Sequence, residues 1–411
     1  MGSSLPGESA EFHGPASSRG SATEVFRVAL GLGLTSFGGP IAHLGYFERA
    51  YVRNCHWLTA DEFAGFVALS QLLPGPSSSQ VNLLVGLRRA GWRGAGAAWI
   101  GFTAPSALLM FAFALVAPRM QGPFVGAIVH GLKLVAVAVV AQAVWSMARR
   151  LCPDRERTAI ALVAAALLLA SGGVMMQVVA LVLGGLGGGL LCRGVTLSSS
   201  APRVPITMRT GGSALAILLA LLLALPLAGR AAPHSLLDLA GIFYRAGALV
   251  FGGGHVVLPL LHDALVAPGW LTDSTFLTGY GAAQAVPGPL FTFAAYIGAA
   301  VAPAGQAFLW SLVALVFVFL PGILIAIAGL PLWAWLGDHA AARGALAGIN
   351  AAVLGILGAA LYNPIWVSAV ASGRDVAIAL AGLLLLERWR VPPLIVVLFC
   401  TAATMVSAAL R

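Results

Sequence analysis

Beyond its first twenty-odd positions the chain is a succession of apolar stretches separated by short polar, Gly- or Pro-containing connections. The stretches lie near 24–47, 61–86, 92–117, 124–148, 159–171 and 173–192, and again near 238–262, 274–300, 304–334, 342–370, 375–386 and 392–410. Between the two series lies a further stretch, 212–229, with no counterpart in either. Runs such as 159–192 and 212–229 reach the roughly 18–20 apolar residues that carry a helix across a bilayer. The pattern predicts an all-α polytopic membrane protein. Segments of only 12–13 residues, such as 159–171 and 375–386, are short for a full span and are expected to be tilted, re-entrant or buried against neighbours.

The two series are copies of one another. Phe37-Gly38-Gly39-Pro40 is answered by Phe251-Gly252-Gly253-Gly254, Trp57-Leu58-Thr59 by Trp270-Leu271-Thr272, and Gln71-Leu72-Leu73-Pro74-Gly75-Pro76 by Gln284-Ala285-Val286-Pro287-Gly288-Pro289. Phe251 lies 214 positions after Phe37, Trp270 213 after Trp57, and Gln284 213 after Gln71. Further on, Pro105 matches Pro321, and Gly131-Leu132-Lys133 matches Gly348-Ile349-Asn350. Such a register marks an internal repeat, the feature that decides the architecture of many transporters. The expected organisation is a disordered tail over 1–22, a first repeat over 23–196, a linker over 197–235 holding one helix near 212–229, and a second repeat over 236–411. Six segments per repeat is an even number, so one linker helix turns the second repeat over. The expectation is an inverted repeat with about thirteen crossings.

Composition sharpens this. Hydrophobic residues make up 59% of the 411 positions and charged residues 9%, against about 25% charged in soluble domains, which leaves little surface for water. The net charge of +9 does not point to nucleic acid, because it is concentrated in alternate loops: Arg88, Arg89 and Arg93; Arg149, Arg150, Arg155 and Arg157; Arg193, Arg203 and Arg209. By the positive-inside rule that side is cytoplasmic. In the second repeat Arg343, Arg388 and Arg390 fall inside against Arg230, Arg374 and Arg411 outside, so charge is neutral there and the linker carries the inversion. The tail, Met1 to Ala22, lacks the basic start and apolar core of a cleavable signal peptide. Cys55, Cys152, Cys192 and Cys400 are scattered and outline neither a disulfide framework nor a zinc site.

The repeated motifs are helix breakers in the middle of apolar segments. Gly removes the barrier to unwinding and Pro removes a backbone donor. Backbone groups freed in this way are intolerable against lipid and must face protein or a water-filled cavity. Equivalent breaks in both halves point to a binding site between them. A helix that restarts after a break aims free N–H groups and its positive dipole end into the cavity, which is an anion-binding arrangement. Candidate contacts are Ser36, Phe37, Gly38, Gly39, Pro40 and His43 at the first break, and Gln71, Pro74, Gly75, Pro76, Ser78 and Gln80 at the second. Their counterparts are Gly252, Gly253, Gly254 and His255, then Gln284, Pro287, Gly288, Pro289 and Thr292. The stretch Ser77-Ser78-Ser79-Gln80 is answered by the far less polar Leu290-Phe291-Thr292-Phe293, so the site is expected to be asymmetric.

Ionisable residues inside the apolar segments are cationic: Lys133, the one lysine among 23 Lys and Arg residues, and Arg245, six positions before the Phe-Gly-Gly break. Intramembrane charge is costly and marks function by default, although both side chains are long enough to snorkel to an interface. All fourteen Asp and Glu residues fall in the tail, in loops or at segment ends. Cations without buried acidic partners suit a negatively charged substrate. His43 and His255 are candidates for contact with substrate or proton, or for neutral packing. Thr59-Ala60-Asp61-Glu62 has the spacing of a capping box and is expected to start a helix, with no chemistry of its own. The chain has no GxxxxGK[ST] motif, no set of metal-ligand spacing and no nucleophile–base arrangement, so neither an enzyme, a metal site nor a bound cofactor is expected.

These strings resemble the chromate ion transporter family in its long-chain, two-domain form. The resemblance is carried by Phe37-Gly38-Gly39-Pro40-Ile41-Ala42-His43-Leu44-Gly45-Tyr46-Phe47, Leu69-Ser70-Gln71-Leu72-Leu73-Pro74-Gly75-Pro76 and Gly101-Phe102-Thr103-Ala104-Pro105-Ser106. In the second half it is carried by Phe251 through Pro259 and by Gln284 through Pro289, and it runs from about Ala22 to the C-terminus. Ser70 departs from it, standing where Cys or another small residue is expected. The resemblance implies efflux of chromate across the bacterial inner membrane, conferring chromate resistance, with sulfate as the related or competing anion. A transporter of sulfate or another tetrahedral oxyanion, and a passive anion channel, are the alternatives. The expected partners are the anion and the lipid bilayer, without nucleic acid, and a homodimer is compatible with the pattern.

Overall fold

The computed structural model describes residues 20–119, 123–171, 173–192, 204, 206–251 and 254–409, with backbone alone at 40–41, 123, 174, 254 and 334–338. Most of the expected N-terminal tail lies outside the described residues, which contain helices and turns and no strand. The first repeat begins with α1 (Ala22–Thr35), whose N-cap Ser21 accepts from the Glu24 N–H at 3.0 Å. The chain then passes through extended Ser36 and left-handed Gly38 into α2 (Gly39–Phe47), which runs on as a π-helical turn, Glu48–Asn54. Next comes α3 (Ala60–Leu72), started by the capping box: Glu62 N–H donates to Thr59 Oγ1 at 3.2 Å, and Thr59 N–H to Glu62 Oε2 at 3.1 Å. The following α4 (Ser77–Val116) is continuous in name only. Ala90 and Gly91 leave helical dihedrals, the chain doubles back, and Asn82 Nδ2 donates across to Ala98 O at 2.8 Å.

After α4 come α5 (Pro123–Leu151), α6 (Arg155–Ser171), α7 (Gly173–Leu191) and α8 (Met208–Ala231). The second repeat holds α9 (Leu236–Leu249), α10 (Val257–Leu265), α11 (Asp273–Ala283), α12 (Phe293–Ala300), α13 (Ala307–Asp338) and α14 (Ala340–Ala360). A π-helical turn, Leu361–Trp366, leads to α15 (Val367–Ala369), α16 (Gly373–Glu387) and α17 (Pro393–Ala409). Five stretches among the described residues are long and apolar enough to cross a membrane: Ser77–Arg119, Phe124–Leu151, Met208–Ala231, Ala307–Trp333 and Ala340–Ala369. Leu162, Leu186, Leu223 and Leu398 project outward at 60–69% exposure, a surface that lipid solvates and water does not.

The structure corrects one expectation about the first two apolar segments of each repeat. They do not cross; each folds back on itself as a helical hairpin. In the first repeat Trp57 Nε1, beyond α2, donates to Glu24 Oε1 at the start of α1 (3.2 Å). Arg89, at the reversal of α4, pairs with Glu24 at 3.1 Å and lies 5.3 Å from the Trp57 ring centre. Arg88 reaches Glu62 at the start of α3 at 3.4 Å. The bases of both hairpins therefore lie together, and the Phe-Gly-Gly-Pro and Pro-Gly-Pro breaks are their tips. Helices of 13 and 14 residues, as in α3 and α1, are about 20 Å long at 1.5 Å per residue, short of the ~30 Å hydrocarbon core. The second repeat does the same: the His234 and Trp270 rings lie 4.6 Å apart, tilted by 32°, Trp270 meets Trp310 at 6.2 Å, and Tyr296 Oη donates to Thr275 O at 3.0 Å.

The hairpins lean on full-length helices. The second arm of α4 (92–116) runs beside α1 with Gly33 against the Phe102 carbonyl, and α13 runs beside α9 with Gly247 against Val318 and Pro321. Asp375 sits at a helix start, as expected of the acidic residues, but it is buried. It stands in the first turn of α16, whose N-cap is Ser372, accepts from Ala371 N–H at 3.0 Å and holds His130 Nε2 of α5 at 2.7 Å.

Helices α7 and α14 meet at glycines, Gly184 and Gly188 against Gly344 and Gly348, close enough for backbone to touch backbone. A Cβ on Gly188 would lie 2.6 Å from Gly348 Cα, whereas one on Gly187 would meet only Ile160 side-chain atoms at 3.7–3.8 Å. Gly188→Ala should therefore destabilise the protein by about 1–3 kcal/mol through overpacking, while Gly187→Ala leaves it unchanged or gains slightly. Thermal unfolding of the two variants purified in detergent measures the difference.

Candidate functional site

The four hairpin tips meet, and they meet by exchange. Ser36 and Val250 are extended residues that follow α1 and α9, so their carbonyls have no helical partner. Gly75 N–H, in the first Pro-Gly-Pro turn, donates to Val250 O at 2.6 Å, and Gly288 N–H, in the second, donates to Ser36 O at 2.9 Å. Each repeat thus supplies the donor that the other repeat's break requires. Both donors need glycine: φ is +119° at Gly75 and +97° at Gly288, and a Cβ would lie 2.8 Å from Gly322 Cα at the first and 2.8 Å from Ser106 Oγ at the second. Gly322 and Ser106 directly follow the matched prolines Pro321 and Pro105.

Pro40 occupies the first turn of α2, where a missing N–H has no consequence, so it starts the returning helix rather than only breaking the incoming one. Gly38 and Gly39 are left-handed, at φ +102° and +79°. Phe37 is half-buried beside them. Pro76 stands at the N-cap of α4, Pro289 at the head of the short turn Leu290–Thr292, and Pro74 and Pro287 open the two turns. Gly252 and Gly253 lie outside the described residues; Gly254 begins the turn Gly254–Val256.

The polar side chains divide into two groups. Gln80 is structural: its Nε2 donates to Pro74 O and to Gly322 O, both at 2.8 Å, tying the first turn to α13. Thr292 is closed on itself, its hydroxyl donating to Pro289 O at 2.9 Å. His43 is buried against Phe47 and the edge of Phe102, with Nδ1 3.3 Å from Ser78 Oγ. Its Nε2 has no partner among the described residues, nor do the buried Ser36 Oγ, Ser79 Oγ and Gln284 Nε2. His255 Nδ1 lies 2.7 Å from the Tyr280 hydroxyl.

A cavity of about 490 Å³ opens beside the tips. Gly38, Gln71 and Ser77 reach it from the first-repeat tips and His255 from the second; Gln142, Ser146 and Arg150 line it from α5, and Glu387 and Arg390 from the end of α16. Lys133 does not line it: it lies nine residues before Gln142, half a turn away at 100° per residue, and is half-buried elsewhere on α5. Arg245 does not line it either; its Nε approaches Gly241 O of its own helix at 3.4 Å, back toward the start of α9. The cations at the cavity are Arg150 and Arg390, whose positions in the sequence signal only sidedness. The i, i+4, i+8 spacing of Gln142, Ser146 and Arg150 was the available sign, a polar stripe on one face of an otherwise apolar helix.

The cavity therefore combines two guanidinium groups at its rim, amide and hydroxyl donors along its wall and one carboxylate, Glu387. That set can strip and replace the hydration of an oxyanion. The family described as chromate transporter matches residues 23–190 and 237–405, which hold both sets of hairpins. The chain belongs to the chromate transporter family. It is 29% identical over 378 residues to a chromate transport protein of Pseudomonas aeruginosa, covering 89% of this chain and 87% of that one. It is 27% identical over 387 residues to a probable chromate transport protein of Synechococcus elongatus (92% and 93% covered). A chromate transport protein of Cupriavidus metallidurans is 27% identical over 338 residues (80% and 79%). No solved structure matches.

Gln80→Leu strands the carbonyls of Pro74 and Gly322 in a buried setting, at about 1–3 kcal/mol each. A marked fall in thermal stability is expected from Gln80→Leu and little change from Gln71→Leu, whose side chain is exposed at the cavity. Unfolding curves of the two purified variants compare them directly.

Proposed function

We propose that this chain is a secondary transporter that exports chromate from the bacterial cytoplasm across the inner membrane and so confers chromate resistance, and that its two repeats have inverted topology. Family membership supports chromate as the substrate. The observation that carries the reading is the cavity, in which Gln71, Ser77 and His255 lie at the tips of broken helices while Arg150 and Arg390 stand at the rim.

Parity supports the inversion. Between the hairpins of the first repeat and those of the second run the second arm of α4, then α5, α6, α7 and α8, five helices, which on this reading make an odd number of passages. Bases that begin on one side in the first repeat then begin on the other in the second. Arg150 ends the fourth apolar segment of the first repeat and Arg390 follows the fifth of the second. Repeats of the same orientation would separate them by the membrane thickness, yet both line one cavity. The cavity then opens on the arginine-rich, cytoplasmic side.

Export of this kind needs no nucleotide. Two negative charges moving outward across about 100 mV, inside negative, release roughly 4–5 kcal/mol, enough for a gradient of about a thousandfold. Inverted vesicles supplied with labelled chromate, with and without sulfate, test the proposal. Saturable accumulation is expected, with KM raised about tenfold (~1.4 kcal/mol) by Arg150→Gln or Arg390→Gln and left near wild type by Lys133→Met. Transport of sulfate but not chromate would overturn the substrate. Flux that rises linearly with concentration would overturn the carrier and indicate a channel.

A further inference from the structure

The bases of the second-repeat hairpins hold a polar cluster that the anion cavity does not use. His262, near the end of α10, is 9% exposed, and its two ring nitrogens face two carboxylates. Nε2 lies 2.6 Å from Asp273 Oδ1 at the start of α11, and Nδ1 lies 3.4 Å from Asp263 Oδ1. Gln177 of α7 donates from Nε2 to Asp263 Oδ2 at 2.8 Å. Gln177 is 1% exposed, and its Oε1 has no partner among the described residues. Gln177, His262 and Asp263 line a second cavity, of about 220 Å³, between α7, α10 and the end of α14.

A neutral imidazole carries one N–H, so it can donate to only one of the two carboxylates. The other contact then sets a lone pair against an anionic oxygen. One further proton resolves the conflict, and the geometry points to a proton-binding site. We propose that His262, between Asp263 and Asp273, takes up a proton from hydronium at this surface: the imidazole becomes an imidazolium donating from both nitrogens, and water is released. Asp273 is 47% exposed and connects the cluster to bulk water. The unpartnered Gln177 Oε1 is an acceptor that suits a water or hydronium in the cavity.

The surrounding charges are few. From α11 comes Asp273, and from α10 itself Asp263. From α7 comes the neutral Gln177, and from the turn after α14 the neutral Asn363. On α9, Asp238 accepts from His234 N–H and Arg245 bonds within its own helix. The Phe276 ring packs edge-on against the imidazole at 5.3 Å. No group of three or more His, Cys, Asp or Glu side chains among the described residues is arranged to hold a metal ion.

The position gives the proton something to act on. α10 leads back to His255, and α11 leads forward to Gln284 and the second Pro-Gly-Pro turn. An imidazolium between Asp263 and Asp273 pins the bases of the two hairpins together; removal of the proton weakens one of the two ties. In the proposed topology this cluster lies on the side away from the anion cavity, so external protons would bias the tips. That coupling rests on the transport reading, whereas the proton site does not.

Two measurements separate them. Infrared difference spectra of the purified protein between about pH 5 and 8 should contain imidazole and carboxylate bands that are absent from His262→Gln. Identical difference spectra overturn the site. In inverted vesicles, chromate uptake driven by a potascium-diffusion potential at equal pH on both sides reports transport alone, and it should persist in His262→Gln. Lowering the luminal pH from 8 to 6 should stimulate wild-type uptake several-fold and leave His262→Gln unchanged. A wild-type response that survives in His262→Gln overturns the coupling, as does a wild type that ignores luminal pH while its potential-driven uptake is intact.

Discussion

Everything at the centre of this protein depends on how backbone groups are satisfied where helices stop inside an apolar medium. A helix end strands N–H and C=O groups, and in hydrocarbon no water is present to take them. Here the two repeats solve the problem for each other, through Gly75 N–H to Val250 O and Gly288 N–H to Ser36 O. The exchange explains why the glycines stand where they do, why Gln80 spends both amide hydrogens on carbonyls, and why the small residues Ser106 and Gly322 follow Pro105 and Pro321. Neither repeat is complete at its tips without the other. The cavity is a consequence: it opens beside irregular chain segments at the tips, which cannot pack as closely as helices do.

The distribution of charge around that cavity suits passage rather than capture. Arg150 and Arg390 stand at the rim, where water still reaches them, and the tips contribute neutral groups, Gln71, Ser77 and His255. A guanidinium buried at the tips would cost several kcal/mol to desolvate and would hold a dianion too tightly to release it. A rim of cations raises the local concentration of anion, and neutral donors beyond it replace water without trapping the ion. The cations that do lie within the helices, Lys133 and Arg245, face away from this path.

Much of the architecture was legible in the residues. Apolar stretches, the register between Phe37 and Phe251 or Gln71 and Gln284, and the capping box at Thr59 each follow from local chemistry, and each is found where that chemistry puts it. The fold-back of 24–47 and 61–86 was not legible, because hydropathy records what a segment dissolves in and carries no sign of direction. The glycine and proline breaks located the tips correctly but left open whether the chain continued through them or returned. The contacts that decide this, Trp57 with Glu24 and Arg89 with Glu24, join residues 33 and 65 positions apart.

The sequence by itself determined that the chain lives in a membrane, that it is built twice, that its helices break at Phe37–Pro40 and at the two Pro-Gly-Pro turns, and that the family is one of chromate transporters. These are properties of short strings and of their repetition, and short strings carry them. Only the tertiary structure decided which polar groups are spent on the fold and which are left for a ligand. Gln80 and Gln71 look alike in sequence, yet one bonds two carbonyls and the other faces the cavity. Arg150 and Lys133 share a helix, and the pitch of that helix sends one to the rim and the other away. The physical reason is the same in both pairs: function here depends on where a donor points, and direction is set by packing between segments far apart in the chain.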